Sequence, residues 1–225
     1  MRRVGPVAAI VILALLVVGG DMALAGAAVY RELDGGRQAL IAAQASMGAA
    51  ARTGDPAELQ SAAAKLKVAE QHFNDARERS ATDPVLRLVG GFPGADRQWQ
   101  ASTQLAAIGA DISRAGEAAA IVAIQVARLK QKYAGRPLTA DNLQAALQEA
   151  QAIARSYRVS IRAIGRELDA AHAARAQLDT GQLLGPLRDA YEAVDRALAE
   201  ADTSFRRYQD LRQVLSDFLG VQLPA

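Results

Sequence analysis

The sequence has no cysteine, only two histidines and few aromatic residues, 4% of the chain. Without cysteine there is no disulfide framework, no thiolate nucleophile and no zinc site using sulfur, and thiols say nothing about the redox compartment. His72 and His172 stand far apart. Neither has a second histidine at a metal-binding step of three to five residues, so both read as satisfied or solvent-facing side chains and no metal is expected. The chain also lacks a G-x-S-x-G elbow, a Walker A loop, an H-E-x-x-H helix and a G-x-G-x-x-G turn after a strand. The glycines between Gly90 and Gly94 form no recognisable phosphate cradle. Carboxylates are plentiful, as on any solvated helix, and only Asp21 stands beside an apolar run. No catalytic residue, no cofactor and no enzymatic activity is expected.

Charge of one sign is also missing. The 26 Lys and Arg exceed the 24 Asp and Glu by two, and Arg2 and Arg3 supply that difference, so the body is neutral. Nucleic-acid binding would need a basic face in excess of this balance, and the charges read as interspersed along solvated helical faces. No nucleic-acid partner is expected.

What is abundant is alanine, more than a fifth of the residues. Alanine is the best helix former, whereas strands favour branched and aromatic side chains, so the composition predicts an all-α fold with closely apposed helices. At 225 residues the chain is long enough for one domain with a real core.

The N-terminus supplies the location. Arg2 and Arg3 precede a wholly apolar run from Val7 to Val18. Basic residues ahead of such a run stay on the cytoplasmic side, which predicts that the rest is exported. Ala23, Leu24 and Ala25 offer a small-x-small cleavage pattern, the signal-peptide reading. The competing anchor reading extends one helix from Val4 to Tyr30, reaching the roughly 20 residues that a bilayer core demands, with Asp21 near the outer edge. Asp21 just ahead of a cleavage region favours the anchor. The expected layout is a membrane segment over 1–30 and an extracytoplasmic helical bundle over 31–225, a single pass with the N-terminus in the cytoplasm.

Beyond the membrane segment, Gly35-Gly36 is expected to break the chain before a helix over Arg37–Arg52. Asp55-Pro56-Ala57-Glu58 then carries an N-cap acceptor, proline at the first helical position and glutamate three residues after the cap. Leu59, Ala62, Leu66, Ala69, Phe73 and Ala76 form the seam of this helix, which should end near Ser80. A third helix over Asp96–Tyr133 carries Leu105, Ile108, Ile112, Ala115, Ala119, Val122, Val126, Leu129 and Tyr133 at a 3.5-residue period; Ile112 is assigned to the seam and Arg114 to the exposed face. Gly135 to Pro137 end it. Thr139 caps a fourth helix reaching about Asp179, striped by Leu143, Leu147, Ala150, Ala154, Tyr157, Ile161, Ile164, Leu168 and Ala171. After Gly185-Pro186 a fifth helix carries Leu187, Tyr191, Val194, Leu198, Ala201, Phe205, Tyr208 and Leu215. Long helices and short loops predict an elongated antiparallel bundle, preferred over an intermolecular coiled coil; the oligomeric state is not legible.

Between the second and third helices, Asp83-Pro84 opens a short apolar turn that Gly90-Gly91-Phe92-Pro93-Gly94 terminates. Counting helical rise returns the chain to the membrane surface here, so Leu86, Val89 and Phe92 are candidate contacts with lipid or a membrane-bound partner; the alternative is a cap over the base of the bundle.

Over Asp83–Gln104, DPVLRLVGGFPGADRQWQASTQ, the chain resembles an uncharacterised family of bacterial membrane-anchored proteins, domain of unknown function 4012. Its members share an N-terminal membrane helix, alanine-rich helices, a D-P-x-x-R-L-type turn leading to a proline and a Gln-containing helix start. Asp83, Pro84, Arg87, Leu88, Pro93 and Gln98 fit, while Asp96 stands where a glycine is common. Longer relatives continue into a C-terminal globular part, whereas this sequence stops at Leu223-Pro224-Ala225. The resemblance implies no known reaction. The reading at this point is an envelope interaction or scaffold module, with the lipid bilayer and another envelope protein as partners; the alternative is a sensory or ligand-binding ectodomain that signals through a second protein.

Overall fold

The computed structural model describes residues 6–84, 95–133, 140–183 and 185–208, with backbone alone for 6–25 and for a few positions in the later helices. Among the described residues there are five α-helices, α1 (Pro6–Thr53), α2 (Pro56–Thr82), α3 (Ala95–Tyr133), α4 (Ala140–Ala176) and α5 (Gly185–Tyr208), with a 3₁₀ turn over Thr180–Gln182. Among the described residues there is no strand.

The break between α1 and α2 forms as its chemistry dictates. Gly54 adopts a φ of +69°, the left-handed conformation open to glycine, and its N–H donates to the Ala50 carbonyl at 2.8 Å. The next residue, Asp55, caps α2 by accepting the Ala57 N–H at 2.8 Å, with Pro56 where a missing N–H costs nothing. The α2 seam buries Ala62, Leu66, Ala69, Phe73 and Ala76, and leaves Leu59 half-buried.

The expected break at Gly35-Gly36 does not occur. α1 is one helix of 48 residues. Its seam of Val29, Leu33, Leu40, Ala43 and Ala50 runs straight through the glycine pair. The glycines serve close packing instead. A Cβ added at Gly36 would sit 2.7 Å from the Phe73 ring, and one at Gly109 on α3 would sit 2.6 Å from it. Phe73 is therefore clasped between two helix backbones, and each glycine's intrinsic helix penalty of about 1 kcal/mol is offset by that ring contact.

α3 is the central helix. Its first half is covered on several sides, with Ala101, Ser102, Leu105, Ala106, Ile108, Gly109, Ala110, Asp111, Ile112, Ser113 and Ala115 all buried. The expected seam holds at Leu105, Ile108, Ile112, Ala115, Val122 and Leu129, but Ala119 is exposed and Ala120 is buried in its place. At 39 residues α3 is about 58 Å long.

Interhelical bonds fix the directions. On α3 and α4, Arg114 bonds Glu167, Gln125 bonds Ser156 and Lys132 bonds Glu149; each step forward on one helix matches an equal step back on the other, so the two are antiparallel. α1 and α2 run antiparallel as well, through Lys65 to Ser46 and His72 to Glu32. α4 ends at Ala176 instead of reaching Asp179, because Asp179 caps the 3₁₀ turn by accepting the Gly181 N–H. On it Tyr157, Ile164, Leu168 and Ala171 are buried and Ile161 is partly so, while the side chains of Leu143, Leu147, Ala150 and Ala154 lie outside those described. On α5 Val194 and Leu198 are buried and Phe205 packs against the core. Tyr208 and Leu215 lie outside the described side chains. Among the described residues no helix is long and apolar enough to cross a membrane; the Val7–Val18 run falls in the backbone-only part of α1.

Candidate functional site

The densest polar grouping arises where α3 is most enclosed. Polar residues inside such a helix need partners, since an unpaired buried group costs several kcal/mol. Ser113 finds one locally, donating to the Gly109 carbonyl at 2.7 Å, and Ser102 donates to the Trp99 carbonyl at 2.8 Å. Asp111 meets Arg114 one turn later.

Arg114 then joins three helices. Its Nε donates to Glu167 Oε2 on α4 at 2.7 Å, Nη1 lies 3.5 Å from Glu70 Oε1 on α2, and Nη2 bonds Asp111 on its own helix. The side chain is about one-third exposed, at 35%, so it is no free surface residue as the seam reading expects. Its position three residues beyond Asp111 aims it over the groove between α2 and α4. Burial pushes the Asp111 carboxyl above the ordinary aspartate range, against the pull of the Arg114 charge; Glu167 adds to the rise and Arg77 opposes it. Burial alone would lower the Arg114 guanidinium, and the Glu167 hydrogen bond with the charges of Glu167, Asp111 and Glu70 outweighs it, raising the pKa. One fixed cation faces three carboxylates. It clamps the register of three helices, while burial favours the protonated form of Asp111.

Other polar links lie on the rims of the seams. Glu32 accepts from His72 Nδ1 at 2.8 Å and faces Arg79 Nε at 3.5 Å, while His172 Nε2 lies 2.9 Å from Asp202. Each histidine thus pairs with a carboxylate on a neighbouring helix. Among the described residues no group of three or more His, Cys, Asp or Glu is placed to hold a metal ion. An open cleft between α1 and α5 is lined by Tyr30, Leu33, Asp34, Arg37, Asp189 and Ala190. There the hydrogen bond from Arg37 holds the Asp34 carboxyl below its ordinary range, with Gln38 assisting and partial burial opposing.

The sequence candidates Leu86, Val89 and Phe92 lie in 85–94, outside the described residues. The Arg114 cluster escapes a reading by apolar period because its members occupy ordinary polar positions on three helices. A signal does exist in the run of small residues from Ala101 to Gly116, which marks a helix approached from several sides, so that charges within it must be paired. No family model, curated protein or solved structure matches the chain.

Proposed function

We infer that the chain is a membrane-anchored helical scaffold or interaction module of the cell envelope, without catalysis, held by its N-terminal segment with the bundle outside the cytoplasm. One observation carries the reading: α1 is a single helix from Pro6 to Thr53, so the apolar run Val7–Val18 passes without a loop into the helix whose seam includes Val29 and Leu33. A segment built for removal has no need of helical continuity with the core, whereas an anchor uses it to hold the body at a fixed attitude. Arg2 and Arg3 ahead of the run support the cytoplasmic placement of the N-terminus. Membership of the membrane-anchored family resembled at Asp83–Gln104 belongs to the same reading.

Mass spectrometry of the chain recovered from fractionated cells tests this. The expected result is a membrane-fraction protein retaining Arg2 and Arg3. A soluble extracytoplasmic protein beginning at Gly26 would overturn the anchor.

A further inference from the structure

One face of α4 carries charge that the described residues of the bundle do not neutralise. Arg155, Arg158, Arg162 and Arg166 recur at steps of three and four, and all four are exposed. The carboxylates that bracket them on α4 are committed elsewhere: Glu149 bonds Lys132 and Tyr133, and Glu167 is held by Arg114. Asp169 stands past the end of the row and Glu117 across on α3. Among the described residues no carboxylate is bonded to any of the four arginines; Arg155 and Arg162 instead turn Nε to the backbone oxygens of Gln151 and Arg158, at 3.5 and 3.2 Å.

Within this row lies Val159, 62% exposed. Across the seam, Ile121 on α3 is 46% exposed. Ser156 donates to Gln125 at 3.2 Å; Val159 follows Ser156 by one turn and Ile121 precedes Gln125 by one turn, so the antiparallel register brings the two apolar side chains to one level. The result is an apolar centre with a basic margin, the layout of a protein interface.

We propose that this face of α4 docks an acidic amphipathic helix of a different protein, its carboxylates on the four guanidinium groups and one apolar side chain over Val159 and Ile121. The proposal deepens the scaffold reading and rests on it for the presence of an envelope partner. Arg155 to Arg166 spans about 17 Å, three turns of a facing helix, and guanidinium forks match carboxylates in pairs of hydrogen bonds. A second copy of the chain fits poorly, because a two-fold contact would set the arginine rows against each other. The anchoring bilayer is also disfavoured. Gln44 on α1 bonds Glu200 on α5, and Phe205 on α5 lies against Gly165, which places Arg166 about 25 to 30 Å along the bundle from Tyr30, beyond a Debye length of about 8 Å.

The test uses the full chain in detergent micelles and a fluorescent amphipathic peptide of about 15 residues, with glutamates at helical steps around a central leucine. Its glutamine counterpart is the control. The glutamate peptide should bind at least about tenfold more tightly than the control and weaken as salt rises. R158E/R162E should cost about tenfold or more with an unchanged melting temperature, R158Q/R162Q a smaller part of that, and Val159→Ser about threefold. Equal binding of the two peptides, or undiminished binding by both double variants, overturns the proposal. So does tighter, arginine-dependent binding to vesicles about one-third phosphatidylglycerol, or to duplex DNA, since either assigns the face to another class of partner. A chain found to begin at Gly26 would overturn the anchor and leave this measurement intact, because peptide binding is read on the purified protein in either case.

Discussion

Two seams of the bundle follow the same heptad spacing and are held in different ways. Between α2 and α3, alanines and glycines let the backbones approach until Phe73 touches Gly109 and Leu66 touches Gly116. Between α4 and α5, Ile164 and Leu168 share the core with Val194 and Leu198, while Arg175 to Asp195 and His172 to Asp202 bond at the exposed edges. The first seam depends on the absence of atoms and the second on their presence. A single added methyl group should therefore be costly in one and almost free in the other.

The largest expected effect is that of Ile112→Asp, which puts an unpaired carboxylate in the enclosed part of α3 and should destabilise the chain by about 4 kcal/mol. Chemical denaturation of the full chain in micelles measures it; a loss under about 1 kcal/mol would mean that α3 is not the central helix. Next comes Gly109→Ala, expected to cost about 2 kcal/mol by overpacking against the Phe73 ring. Adding Phe73→Leu should recover part of that loss, and strict additivity of the two changes would show that the close contact is absent.

Arg114→Ala should cost about 2 kcal/mol, a value reduced for the partial solvent exposure of the guanidinium. The reading of Arg114 as a free surface residue expects almost nothing, so a melting temperature equal to that of the unsubstituted chain would restore it. Smallest is Gly165→Ala. Its Cβ would lie 3.2 Å from the tip of Phe205, a flexible side chain at the end of the seam, and the gain in helix propensity should hold the net change within about 0.5 kcal/mol.

Titration sharpens the contrast between enclosed and exposed carboxylates. Asp111 is raised in the folded chain, so its proton favours folding: that contribution is full below the ordinary aspartate value of 3.8 and is lost as pH rises through the folded value. Asp34 is lowered, so its contribution is present above 3.8 and lost as pH falls through the folded value. Asp111→Asn should accordingly raise the melting temperature at neutral pH, with a gain that shrinks toward pH 3.8, while Asp34→Asn should lower it at neutral pH with a deficit that shrinks in acid. Parallel pH dependences for the two variants would contradict these opposite environments.

The period of apolar residues made the elements legible. Phe73, Leu105, Ile112 and Leu168 fall on seams because a helix that buries one stripe must repeat it, and Asp55-Pro56 marks a start because capping chemistry is local. Gly35-Gly36 misled because glycine has two uses that a sequence alone does not separate, a turn or a close approach. The seam of Val29, Leu33, Leu40 and Ala43 held the answer, since its spacing does not lapse at the glycines. Arg114 was missed for another reason. Apolar period identifies one buried stripe, whereas a central helix is enclosed on several sides, and which polar residue then faces inward depends on where the third helix packs.

The unbroken course of α1 gives the molecule a phase. A helix turns about 100° per residue, so one alanine inserted between Gly26 and Val29 would swing every side chain of the body by about 100° relative to whatever grips the start of α1, while lifting it by only about 1.5 Å. Seven inserted residues would restore the heading to within about 20° and raise the body by about 10 Å. Compass direction and height are thus separately adjustable along this helix, and a neighbour that reads direction should tolerate the seven-residue insertion and reject the single one.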